Sequence, residues 1–167
     1  MKTVASSRFT TTRAMPSDLV VIGVGNTLRE DDGVGIALIR RLEALAAGRM
    51  ECVEAHGPDL LHAELIARFA RLIVIDAWVS EPGSTDDFVC TPLAPAPATA
   101  LVGRFTSHVL DWPGVLALAR DVYGRAPTAE LLGVAASSFD FAEQLSAPCA
   151  ERAERAWRFL LARVGLA

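Results

Sequence analysis

The sequence predicts an α/β fold: a three-layer αβα sandwich around a mostly parallel, twisted five-stranded sheet with one antiparallel edge strand. Three observations lead there. The apolar runs LVVIGVG (19–25) and RLIVIDA (71–77) have the unbroken hydrophobic character of strands buried on both faces. Amphipathic helical patterns alternate with strand patterns through the first half, as βαβ units with right-handed crossovers require. The link WVSEPGSTDD after the third strand is too short for a crossover helix, so the next strand turns back antiparallel at an edge.

Residues 1–17, MKTVASSRFTTTRAMPS, carry Lys2, Arg8 and Arg13, no acid, and no apolar segment of the kind a secretory signal needs. They read as a disordered Ser/Thr-rich tail, with Met15 as an alternative start. Residues 18–167 then form a single domain. Its first strand runs into glycines that permit a sharp turn. GIALIRRLEALAA (35–47) is an amphipathic helix: Leu38, Leu42 and Leu45 fall on one stripe, and Arg40, Arg41 and Glu43 lie off it. ECVEA (51–55) is a second strand, and PDLLHAELIARF (58–69) a helix begun by Pro58 and Asp59. The strand 71–77 and the edge strand DFVCT (87–91) follow, then the Pro/Ala-rich loop PLAPAPATALVG (92–103). DWPGVLALARDVYG (111–124) is a helix with Asp111 as N-cap and Gly124 just past its end, and ELLGVAA (130–136) is the fifth strand. The last helix starts at Ser146 with Pro148 in its first turn. Its apolar stripe is Ala150, Ala153, Trp157, Leu160, Leu161 and Val164, with Glu151–Arg155 and Glu154–Arg158 paired at i,i+4 on the wet face.

Composition narrows the function. A chain of 167 residues, 51% apolar and 22% charged, suits one globular enzyme-sized core. A net charge of −4 argues against nucleic-acid binding, and no apolar run approaches the ~18 residues of a membrane helix. Cys52, Cys90 and Cys149 are widely spaced and odd in number, which suggests no disulfide frame and a reducing cytosol, and the chain is expected to act as a monomer.

In open α/β sheets, ligands bind beyond the carboxyl ends of the strands. The polar residues there are Asn26, Glu30, Asp31 and Asp32 after the first strand, His56 and Asp59 after the second, and Asp76 at the end of the third. Asp76 interrupts LIVIDAWV, where a core residue belongs. An isolated carboxylate there is costly unless paired or on metal. The bland alternative is a carboxylate capping backbone N–H groups at the rim. Asp31 and Asp32 open a helix, where acids suit the dipole. Adjacent residues point apart, so one can serve the helix while the other faces the cleft. His108 in TSHVLD precedes a helix, where a lone histidine is commonly a hydrogen-bonding loop residue. With two carboxylates it makes an O/O/N set suited to Ni²⁺ or Zn²⁺. His56 is a reserve ligand, and His62 reads as a surface residue inside its helix. GVGN lacks the third glycine of a dinucleotide loop and the GK[ST] of a phosphate loop. No GxSxG elbow appears, and the cysteines lie in strands or away from the cleft, so a serine or cysteine nucleophile is not indicated.

VIGVGNTLREDDGVGIALIRRL resembles the opening signature of the hydrogenase maturation endopeptidases, LIVIDAWVS their second block and SHVLDWPGVLALA their third. The resemblance runs from about Leu19 to the last helix. It implies a metal-binding trio on Asp32, Asp76 and His108, with Asp32 and Asp76 as the catalytic candidates. It also implies nickel supplied by the substrate, a [NiFe] hydrogenase large-subunit precursor whose C-terminal extension is removed in the cytoplasm. AHGPDLLHAEL stands where the family often has a Gly-Gly-Thr-type stretch, which leaves roles open for His56 and Asp59, as they are for Glu30 and Asp31. The competing readings are a metal-dependent hydrolase of the same fold that keeps its own Zn²⁺, and a small nucleotide-binding module.

Overall fold

The computed structural model describes residues 18–80, 83–97 and 110–167. The tail 1–17 and His108 lie outside the described residues. The strands are β1 (Leu19–Val24), β2 (Glu51–Ala55), β3 (Arg71–Trp78), β4 (Phe88–Leu93) and β5 (Thr128–Ala135), and the helices are α1 (Val34–Ala46), α2 (Leu60–Ile66), α3 (Trp112–Tyr123) and α4 (Ala147–Val164). They form one five-stranded sheet in the order β2-β1-β3-β5-β4. Every pairing is parallel except β4 with β5, so the edge strand expected from the short link is in place. Pro92 and Leu93, expected in the loop, belong to β4; an edge strand tolerates a proline that cannot donate to the ladder.

Alternate residues of the central strands feed two cores, which makes the three layers. Val21, Ile73, Ile75, Leu132 and Val134 pack under α1 and α4, against Leu38, Leu42, Trp157 and Leu160. Val20, Ile22, Leu72 and Val74 face α2 and α3, against Ala63, Ile66, Trp112, Val115 and Leu116. β1 is buried at every position, which is why it reads as an unbroken apolar run. Among the described residues, no helix is long and apolar enough to cross a membrane.

The helix ends follow the sequence signals. Asp111 caps α3 by accepting from Gly114 N, and Gly124 ends it in the left-handed conformation. Ser146 caps α4 through Cys149 N. Two stripes differ from expectation. Leu45 is exposed, and the buried face of α1 ends on Ala46 instead. In α4, Ala150 is exposed and Cys149 is buried, with its thiol close enough to Asp31 to feel that negative charge. The closest ion pairs of these residues link elements: Glu154 pairs with Arg41 of α1, and Arg155 with Asp87 before β4, while Glu151 still acts on Arg155 through its charge.

Two glycines set the height of the β1–α1 connection. Gly25 has φ +139°, and a Cβ there would strike the carbonyl oxygen of Asp32. A Cβ on Gly35 would strike the carbonyl oxygens of Val24 and Ile75. Helix α1 therefore starts in direct contact with the ends of β1 and β3, and the turn before it is brought down to the strand ends.

Candidate active site

Strand order reverses between β1 and β3: the chain leaves β1 for β2 on one side and returns to β3 on the other. In open α/β sheets that crevice is the ligand site. The loop after β1 and the C-terminal end of β3 flank it, and they carry Asp32 and Asp76. Asp32 sits in a 3-10 turn (Glu30–Gly33) ahead of α1. Its Oδ2 accepts a hydrogen bond from Asn26 N at 2.9 Å. Asp76 accepts from the N–H of Ala77 at 2.8 Å through Oδ1. Burial pushes the Asp76 carboxyl up to about 6; the Ala77 bond offsets part of this, and the nearby negative charge of Asp32 adds to the rise. The two carboxylates that the sequence singled out thus feel each other across the crevice.

Asp31, beside Asp32, has another task. It is the one charged residue fully buried among those described. Its Oδ2 accepts from Ser137 N (2.7 Å), Ser138 N (3.0 Å) and Ser146 Oγ (2.9 Å), and its Oδ1 from Ser146 N (2.7 Å). Burial alone would raise its pKa, but the bonds from Ser137, Ser146 and Ser138 outweigh it and hold the carboxyl below its usual value. The adjacent acids do point apart, but Asp31 clamps the β5–α4 loop and does not serve the helix dipole.

The remaining candidates divide. His56 lies on the same rim, exposed, with Nδ1 3.3 Å from the carbonyl oxygen of Gly25. A carbonyl oxygen can only accept, so in that contact Nδ1 is the donor. Asp59 and His62 are occupied locally. Asp59 caps α2 through Leu61 N, and His62 Nδ1 accepts from Asp59 N at 3.0 Å, completing a capping box. His62 is half-buried with its ring 5.4 Å from Trp112, which corrects its reading as a surface residue. Glu30 has φ +47° and donates its N–H to Ala142 O at 2.8 Å. Among the described residues, no three His, Cys, Asp or Glu side chains converge as a metal site. Of the sequence candidates, Asp32 and Asp76 are close enough for the charge of Asp32 to act on Asp76.

Thiol chemistry is disfavoured at the cysteines. Burial pushes the Cys52 thiol up to about 11 and the Cys149 thiol up to about 12, so neither is a thiolate at neutral pH. Thr27, Leu28, Glu30, Gly33, Arg40 and Leu145 line a neighbouring cavity of about 400 Å³, which lies against the turn carrying Asp32.

No protein-family model and no curated protein sequence matches the chain. Solved structures do. The chain superposes on the hydrogenase maturating endopeptidase HybD from E. coli with a TM-score of 0.65 and 24% identity, over 90% of this chain and 92% of that one. A hydrogenase 2 maturation peptidase from a Thaumarchaeota archaeon gives a TM-score of 0.64 at 23% identity, covering 89% of this chain and 99% of that one. The [NiFe] hydrogenase maturation protease HycI from Thermococcus kodakarensis gives 0.65 at 23% identity, covering 85% and 88%. The chain therefore has, along most of its length, the fold of these hydrogenase maturation proteases.

Proposed function

We propose that the protein is an endopeptidase of hydrogenase maturation, which engages nickel in a [NiFe] hydrogenase large-subunit precursor and removes the C-terminal extension. The observation that carries this reading is the pairing of Asp32 and Asp76 at the strand-order reversal, on the fold of structurally similar maturation proteases. Motif order supports it too, since the blocks that resemble the family supply these same two acids.

Each residue has a definable task in that reaction. Asp32 and Asp76 offer hard oxygen donors, and His108 adds a nitrogen donor; together they suit a borderline divalent ion brought in by the substrate. Binding that ion fixes the scissile peptide against the crevice, and the entropy of alignment is lost on binding and not at the barrier. Asp76 titrates close to neutrality, which suits a carboxylate that accepts a proton from the attacking water as the peptide carbonyl is polarised. The protein works on its precursor in the cytoplasm, as a monomer.

The test is a mass spectrum of a nickel-loaded precursor before and after mixing with the protein, beside a nickel-free precursor. Loss of a C-terminal peptide only from the nickel-loaded sample is expected. Equal cleavage of both samples would remove nickel from the account, and cleavage of neither would remove the activity.

A further inference from the structure

Asp31 is fully buried, yet no cation pairs with it among the described residues; four N–H and O–H groups surround its carboxylate. All four come from residues 137–146, more than a hundred positions away in sequence. Two backbone bonds run the other way, from Glu30 N to Ala142 O (2.8 Å) and from Asp31 N to Ser138 O (3.3 Å). Six hydrogen bonds therefore join one short turn to one loop. They hold Glu30 at φ +47°, a conformation that a non-glycine residue keeps only when its surroundings enforce it. The next residue is Asp32. Its backbone is wedged on the other side against Gly25, where no Cβ fits. Its carboxylate, by contrast, accepts from the Asn26 N–H alone among the described residues.

We propose that Asp31 is a positioning residue, fixing the turn that presents the Asp32 carboxylate to the crevice by tying it to the β5–α4 loop. The inference rests on the role proposed above for Asp32. Its chemical logic lies in the acceptor count. A carboxylate accepts on both oxygens; an amide of the same shape must aim an NH₂ group at an N–H donor, whichever way it is turned. Asp31→Asn therefore keeps the volume and breaks the clamp.

Two readouts test this. The first needs no substrate: exchange of the Asn26 amide, which is protected when Asp32 is in place. In Asp31→Asn it should accelerate at least about tenfold while the amides of β1 and β3 stay protected. The second is processing of nickel-loaded precursor, where kcat should fall about 10²-fold with KM unchanged, the signature of misplaced reacting groups. Ser146→Ala removes one of the four donors and serves if Asp31→Asn does not fold; both effects should then be smaller but present. Unchanged Asn26 exchange in the folded variant overturns the proposal. So does unchanged kcat at a temperature well below melting, because a merely structural residue lowers stability and leaves turnover alone. Should the wild-type protein cleave no precursor, the functional reading fails, and amide exchange still decides the role of Asp31.

Discussion

Asp31 and Asp76 are both carboxylates withdrawn from water, Asp31 beneath the β5–α4 loop and Asp76 near the end of β3. Asp31 accepts four hydrogen bonds, and its carboxyl is held below the usual value. Among the described residues, Asp76 accepts from the Ala77 N–H and has a second acid nearby, and it is pushed up to about 6. Burial acts on both in the same direction; the number of donors decides the outcome. A satisfied buried acid stabilises the fold. An under-satisfied one destabilises it, and is retained where chemistry needs an unspent acceptor. On the proposed function, the difference separates frame from site more sharply than position does, since Asp31 and Asp32 are neighbours in sequence.

The contrast can be broken most forcefully at Asp76. Asp76→Asn should lower the rate of precursor processing by on the order of 10³-fold with the fold intact, measured as single-turnover cleavage beside a circular-dichroism spectrum. The mirror experiment is Asp31→Ala, which leaves four buried donors unpaired. Denaturant unfolding should show a loss of at least about 3 kcal/mol.

A smaller effect has the opposite sign. A folded-state pKa of about 6 at Asp76, against 3.8 in the unfolded chain, means that the native state holds the extra proton between those values. Its contribution to stability therefore falls as pH rises from about 4 to about 6. In the metal-free protein at pH 7, Asp76→Asn should accordingly raise stability by about 2–3 kcal/mol, and the gain should vanish near pH 4. Asp31 titrates the other way: its contribution is full above the ordinary carboxylate range and is lost as pH falls through its depressed folded value. The smallest effect is at Ser146→Ala, which removes a helix cap and one bond to Asp31. Thermal or denaturant unfolding should register about 1–2 kcal/mol.

Much of this arrangement is legible in the sequence because it is local. The parallel strands announce themselves as apolar runs, and the edge strand follows from a link too short for a helix. Asp76 stands out as the one acid in such a run, and the caps Asp111 and Ser146 sit three residues before the N–H groups they satisfy. What escapes is set by partners far away in the chain. The donors to Asp31 are mainly backbone N–H groups over a hundred residues downstream, and no composition or spacing marks them. Arg41 and Arg155 find acids 113 and 68 residues away, so a count of i,i+4 pairs misses the closest partners of Glu154 and Arg155. Cys149 is buried close to Asp31, and the apolar stripe of α4 is displaced by one residue. His62 has a locally readable role in hindsight: an N-cap acid three positions before it is a capping-box spacing, with imidazole in place of the usual Glu or Gln.

The most direct test of the central claim is a paired measurement on Asp76→Asn: single-turnover cleavage of nickel-loaded precursor, and unfolding of the metal-free protein at pH 7. The account predicts that cleavage is lost and stability rises together. A variant that still processes precursor at the wild-type rate, or one that loses stability, would show Asp76 to be part of the frame and contradict its assignment to the chemistry.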